Sequence, residues 1–75
     1  MGVSSDRFQD RNVYIDYDFE DVMFRFEHHS KRFFRRFYGD AHETEVPSTS
    51  ELLNDAILRG EETDWKVYHA GKPKA

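Results

Sequence analysis

Residues 19–38, FEDVMFRFEHHSKRFFRRFY, decide the fold of this chain. When the stretch is placed on a helix at about 100° per residue, its large apolar side chains fall within an arc of roughly 120°. These side chains are Phe19, Val22, Met23, Phe26, Phe33, Phe34 and Phe37. Most other positions are charged, so the pattern predicts one long amphipathic helix over about residues 19–38.

Both ends of this stretch also favour a helix. Asp18 stands at the position of an N-cap, and the positive end of the helix dipole favours the acidic residues after it. Basic residues fill the last turns, and Gly39 stands where a glycine commonly ends a helix. Only Phe24 lies away from the apolar stripe.

A β-hairpin is the alternative interpretation of the same residues. Phe and Tyr are common in strands, and a turn at His28-His29-Ser30 would separate two of them. Strict alternation, however, places Arg35 between Phe33 and Phe37 on one face. It places Arg36 between Phe34 and Tyr38 on the other face. The turn also lacks the Gly or Asn of two-residue hairpins. We therefore favour the helix. In the alternative α+β fold, a three-stranded antiparallel sheet (13–19, 21–27 and 31–38) packs on a helix over residues 49–59.

A shorter helix over about residues 49–59 is the second predicted element. Ser48 and Glu51 fit a capping box. An apolar stripe follows and ends at Gly60, and it consists of Leu52, Leu53, Ala56 and Ile57. The N-terminal arm is predicted to be extended, because Val13–Tyr17 alternates apolar and other side chains with the strand-like period of two. With this arm and a short C-terminal segment that carries Trp65 and Tyr68, the two helices make the predicted fold mainly α.

Residues 13–70 are predicted to form a single small domain, because 75 residues are enough for one domain at most. Residues 1–12 are polar and are predicted to be a flexible N-terminal arm. Residues 71–75, GKPKA, are predicted to be a flexible basic tail.

The composition indicates a small intracellular protein that gains stability from a partner. The chain has no cysteine, which excludes disulfides and thiolate metal sites, and its core is small. We therefore expect another protein chain, in a homo-oligomer or a larger assembly. No signal-peptide core and no long apolar run is present. The predicted protein is thus soluble, not secreted and without a transmembrane segment, although peripheral membrane contact stays open.

No motif for catalysis, a cofactor or a metal is found in the sequence. A serine nucleophile elbow and a glycine-rich phosphate loop are both absent. The adjacent His28 and His29 would point about 100° apart on a helix, which is unsuitable for joint metal ligation. We therefore predict that the chain is not an enzyme and has no cofactor.

The leading hypothesis is a non-enzymatic protein–protein interaction module. Such a chain would be a small adaptor or regulator, or an accessory subunit of a larger complex, docking through an aromatic helix face. The shorter helix would leave part of that face open, and large exposed apolar patches usually bind partners. The predicted partner-binding residues are Phe19, Met23, Phe24, Phe26, Trp65 and Tyr68.

Two alternatives rest on charge. The basic cluster of residues 31–36, with Lys31, Arg32, Arg35 and Arg36, is predicted to contact an anionic partner and could serve a nucleic-acid-associated regulator. Residues 40–64, however, carry eight carboxylates against one Arg, which disfavours nucleic acid as the partner. The third hypothesis is an acidic mimic in which these carboxylates occupy a basic surface of a partner.

Overall fold

The chain folds into a five-stranded antiparallel sheet with one helix on each face. The computed structural model describes residues 2–3 and 5–74, and within them the strand order is β4-β3-β2-β1-β5. The strands are Val13–Tyr17 (β1), Val22–Glu27 (β2), Arg32–Phe37 (β3), Thr44–Val46 (β4) and Glu61–Thr63 (β5). The helices are Glu51–Arg59 (α1) and Trp65–Ala70 (α2). Short 3-10 turns cover Ser5–Phe8 and Asp18–Glu20.

The prediction of a long helix over residues 19–38, and with it of a mainly α fold, is wrong. These residues form β2 and β3, which pair antiparallel with Phe24 opposite Arg35 and Phe26 opposite Phe33. The α+β alternative fits better, because its three strands correspond to β1, β2 and β3 and its helix to α1. The sheet adds two short edge strands that the alternative lacked, and α2 covers its second face.

The turns explain why the hairpin forms without glycine. In the β2–β3 turn the Lys31 N–H donates to the Glu27 carbonyl at 2.8 Å, and Lys31 adopts a positive φ of 62°. Between β1 and β2, Asp21 takes the left-handed conformation with φ 54°. Both connections are longer than the two-residue turns that require Gly or Asn. Two residues other than glycine therefore accept the left-handed conformation.

The two faces of the sheet bury separate clusters. On the first face, Ile15 and Phe24 belong to a cluster with Leu53 and Ala56 of α1. On the second face, Met23 of β2 packs with Tyr38 and with Tyr68 of α2. Neighbouring residues of β2 are therefore buried on opposite sides of the sheet.

Helix α1 lies close to where it was predicted, with a different cap. Its N-cap is Ser50, whose Oγ accepts a hydrogen bond from the Leu53 N–H at 3.3 Å. The predicted cap, Ser48, lies outside the helix and accepts a bond from Asn54 through its carbonyl at 3.0 Å. The leucine and alanine stripe of this helix faces the first side of the sheet.

Parts of both predicted flexible ends contact the domain. Val3 is buried, and its N–H donates to the Ile57 carbonyl at 2.7 Å. Near the C-terminus, the Lys72 carbonyl accepts a bond from the Gly39 N–H at 2.7 Å, and the Lys72 ammonium contacts the Asp16 carboxylate. For residues 1, 4 and 75 the prediction of flexibility lies outside the described residues.

Among the described residues, neither helix has the length and apolar character needed to span a membrane.

Candidate protein-binding surface

The structure separates the six predicted partner-binding residues into buried and exposed ones. Met23 and Phe24 are 0% exposed, Tyr68 is 1% exposed and Phe26 is 5% exposed. Phe19 and Trp65, in contrast, are 78% and 54% exposed. A single aromatic docking face does not form, because strands send successive side chains to opposite faces and a helix covers each face.

Phe19 and Trp65 lie beyond opposite ends of β1. The strand runs from Val13 to Tyr17, and Phe19 follows its last residue. Strand β5 is antiparallel to β1, with Thr63 opposite Tyr14, so Trp65 follows near the first residue of β1. Five strand residues span about 16 Å. The two exposed rings therefore belong to separate surfaces.

Four carboxylates lie on the two connections at the end of the sheet where Phe19 is exposed. We call this part of the molecule the acidic end: Asp18, Glu20, Asp21 and Asp40 with Phe19. The β1–β2 and β3–β4 connections meet here, because the Tyr38 N–H donates to the Asp21 carbonyl at 2.8 Å. Glu20, Asp21 and Asp40 line a recess of about 600 Å³ together with Lys74, whereas Asp18 and Phe19 line a separate, smaller recess with Arg59. The sheet topology thus gathers acidic residues that are up to 22 positions apart in sequence, counting from 18 to 40.

The carboxylates of the acidic end form no ion pair within the described residues, although Lys74 and Arg59 line the two recesses here. Within residues 2–3 and 5–74, the structure shows no salt bridge and no side-chain hydrogen bond for these four carboxylates. Burial and the hydrogen bond to Asp16 raise the pKa of Tyr38. The negative charges of Asp18 and Asp21 raise this pKa further. With four carboxylates against Lys74 and Arg59, this end carries a net negative charge.

The basic cluster of residues 31–36 is divided between the two faces of the sheet. Arg35 lies on the first face, with its guanidinium 4.9 Å from the centre of the Phe37 ring. Arg36 lies on the second face and donates to the carbonyls of Tyr68 and His69, both at 2.8 Å. Arg32 lies 3.8 Å from a Glu45 carboxylate oxygen, and Lys31 lies in the turn, 3.2 Å from a ring nitrogen of His28. Contact of this cluster with an anionic partner stays a prediction.

Sequence reasoning missed a polar network on the second face that centres on Glu43. Arg25 donates to its two carboxylate oxygens at 3.0 and 2.6 Å, and the Tyr68 hydroxyl donates to one of them at 2.8 Å. The Arg25 guanidinium also lies 4.1 Å from the centre of the Phe34 ring. Because the partners are 18 and 25 positions apart, no local pattern could have revealed the network. It ties α2 and the segment before β4 to the sheet.

Acidification is expected to destabilise the fold through this network. Hydrogen bonds from Arg25, the main cause, and from Tyr68 lower the pKa of Glu43 in the folded chain. The unfolded carboxyl titrates near 4.3. The stabilisation is therefore present above about pH 4.3 and is lost as the pH falls through the lower folded-state pKa. A Glu43→Gln variant should lose less stability than the wild type between about pH 5 and pH 3 in urea titrations. Equal losses would contradict this role.

The described residues contain no group of three or more His, Asp or Glu side chains arranged to hold a metal ion. The small recess beside Tyr68 brings His42 and His69 near Glu43, but the carboxylate of Glu43 is already engaged by Arg25. The geometry of this recess accordingly offers nothing beyond its structural network.

The family model described as "Tis1 immunity protein" matches residues 1–72. This chain belongs to the Tis1 immunity protein family. A curated relative in this family, "Immune protein Tis1" from Pseudomonas aeruginosa (strain UCBPP-PA14), is 44% identical over 68 residues. The match covers 89% of this chain and 88% of the relative.

A solved structure extends the likeness of this Tis1 family member to the fold. The matched chain comes from the crystal structure of the complex between the type VI effector Tas1 and its immunity protein. It superposes with a TM-score of 0.92 at 38% identity, over 97% of this chain and 99% of that chain. The β-rich architecture, rather than the predicted mainly α one, is thus shared with a protein of known structure.

Membership of the Tis1 immunity protein family decides the coarse function. A role in protein–protein interaction, with another protein chain as partner, is confirmed at this level. A family of immunity proteins agrees with the prediction of a binding protein rather than an enzyme. The predicted accessory subunit and homo-oligomer receive no support from these relatives.

Proposed function

We propose that this chain is an immunity protein that neutralises a type VI effector related to Tas1 by binding it. One observation carries the proposal: a chain with the same fold over nearly its whole length, at 38% identity, was crystallised in an effector–immunity complex. A TM-score of 0.92 over 97% of the chain means that the backbone of the sheet and its connections superposes on that chain.

The physical properties of the chain suit neutralisation by binding. The small domain has a net charge of -4, so it attracts a partner whose surface is basic and accelerates the encounter. Binding requires only a complementary surface on a stable scaffold. The five-stranded sheet, with its helix on each face, supplies such a scaffold.

Mixing the purified chain with Tas1 tests this proposal. We expect a complex heavier than either protein in size exclusion with light scattering, and a Kd below about 1 µM by calorimetry, equivalent to about 8 kcal/mol. Bacteria that produce Tas1 should grow when the chain is co-produced. The absence of both a complex and growth protection would refute the proposed function.

A further inference from the structure

We propose that the effector docks on the acidic end, with Phe19 as the apolar anchor, and that the docking surface of the effector is basic around an apolar pocket. The proposal rests on the proposed function, because it names the surface that this function would use. Phe19 identifies the contact, and the surrounding charges identify the chemistry of the partner.

Phe19 has the properties of an interface anchor. It is the most exposed of the large apolar side chains among the described residues, although a phenylalanine ring is costly to leave in water. Its turn is held by the hydrogen bond from the Asp21 N–H to the Asp18 carbonyl at 3.2 Å, and its ring lies 6.2 Å from that of Tyr17. A ring presented on an ordered turn loses little conformational entropy when a partner covers it. Aromatic side chains are also enriched at interface centres.

The charges around Phe19 specify a basic partner. Elsewhere in the described chain, carboxylates such as Glu62 and Glu43 are paired with Arg7 and Arg25. The carboxylates of the acidic end form no ion pair within the described residues, and three of them line the recess of about 600 Å³ together with Lys74. Phe19 is not part of that lining, but it stands between Asp18 and Glu20 in the chain, and Glu20 lines the recess. A recess of this size with several carboxylates can receive Arg or Lys side chains, which would gain charge-assisted hydrogen bonds there. Complementary charge also speeds the encounter of the two proteins.

The opposite end of β1 is a weaker candidate. Trp65 is partly covered by His69, whose ring lies 5.8 Å away, and just over half of the side chain is exposed. The neighbouring carboxylate of Asp64 is engaged in capping α2, since it accepts a bond from the Val67 N–H at 3.0 Å. The surface around Trp65 therefore offers one partly covered ring, and its neighbouring carboxylate, Asp64, already has a hydrogen-bond partner.

The first arm of the test compares two single truncations in the full-length chain, with Tas1 as the probe. Phe19→Ala should weaken binding by at least about 30-fold, the size of an interface hot spot. Trp65→Ala is the matched control, an exposed aromatic at the other end of β1, and should change the affinity by less than about threefold. Circular dichroism of both variants verifies that the fold is intact.

The second arm reverses charges. The double variant Glu20→Lys, Asp40→Lys should lower the association rate by at least about tenfold and weaken its dependence on salt concentration. The control, Glu51→Lys with Asp55→Lys on α1, makes the same change in net charge at a different place. It should lower the rate by less than about threefold, because the effect of rim charges depends on their distance from the contact.

The outcomes separate this proposal from the proposed function. If the unmodified chain does not bind Tas1, the proposed function fails, and the docking surface fails with it. If the unmodified chain binds but Phe19→Ala binds equally well, or Trp65→Ala is the weaker binder, only the docking surface is overturned. If both charge variants slow association equally, the partner responds to net charge and the assignment of the acidic end is wrong.

Discussion

Replacing Phe24 with Ala is expected to lower the free energy of unfolding by about 3–5 kcal/mol, the cost of removing a large buried aromatic side chain. Phe24 is fully buried in the middle of β2, opposite Ile15 on one neighbouring strand and Arg35 on the other. The cavity would open in the cluster that α1 shares with the sheet. Because domains of this size have little stability in reserve, a large fraction of the variant should be unfolded at 37 °C. Urea denaturation followed by circular dichroism measures the change.

Phe19→Ala is the matched control for this substitution. It removes the same side chain from an exposed turn and should change the free energy of unfolding by less than about 0.5 kcal/mol. The comparison also distinguishes the two folds considered for residues 19–38. In the predicted helix Phe24 lies off the apolar stripe and Phe19 on it, so the two effects would be reversed. A harmless Phe24→Ala substitution would contradict the sheet.

Tyr68→Ala is expected to have the second largest effect on stability, about 3–4 kcal/mol. Tyr68 holds α2 on the second face, where its buried ring lies 5.7 Å from that of Tyr14 and its hydroxyl donates to Glu43. A helix of six residues is not stable by itself in water, so α2 depends on this contact. Loss of the ring should detach α2 and speed amide hydrogen exchange in Trp65–Ala70 before global unfolding.

Two variants divide this effect into its parts. Tyr68→Phe keeps the ring and removes the bond to the Glu43 carboxylate, which should cost about 1.5–3 kcal/mol as a hydrogen bond to a charged group. Trp65→Ala, on the same helix but exposed, should cost less than about 1 kcal/mol. Equal costs for Tyr68→Ala and Trp65→Ala would show that α2 is not anchored by Tyr68.

The failure of the helical prediction for residues 19–38 has a particular cause. In β2 the consecutive residues Val22, Met23 and Phe24 are all buried, because the strand is covered on both faces. A strand of this kind loses the alternation that normally identifies it, and its apolar run also fits a helical stripe. Local composition could not separate the two interpretations.

The arginines of β3 were the second source of error. The pattern of β3 places Arg35 and Arg36 beside phenylalanines, yet Arg36 has a tertiary partner and Arg35 packs on a ring of its own strand. Arg36 donates to carbonyls of α2, more than 30 residues away, and Arg35 lies over the ring of Phe37. Long cationic side chains can lie along apolar surface while their charged groups reach a partner. The partner of Arg36 lies too far along the chain for a search for periodicity to reveal it.

The sequence by itself determined those helices and strands whose stabilising contacts join residues close in the chain. The α1 stripe and its end at Gly60, and the alternation of Val13–Tyr17, both appear in the structure, because a helix cap or a half-buried strand leaves a short-range pattern. Tertiary structure decided the rest. It pairs residues 19–38 as strands, places Met23 and Tyr68 in the core, and brings acidic residues of two connections together at one end of the sheet. These outcomes depend on contacts between distant residues, whose free energy is gained only when the whole sheet closes.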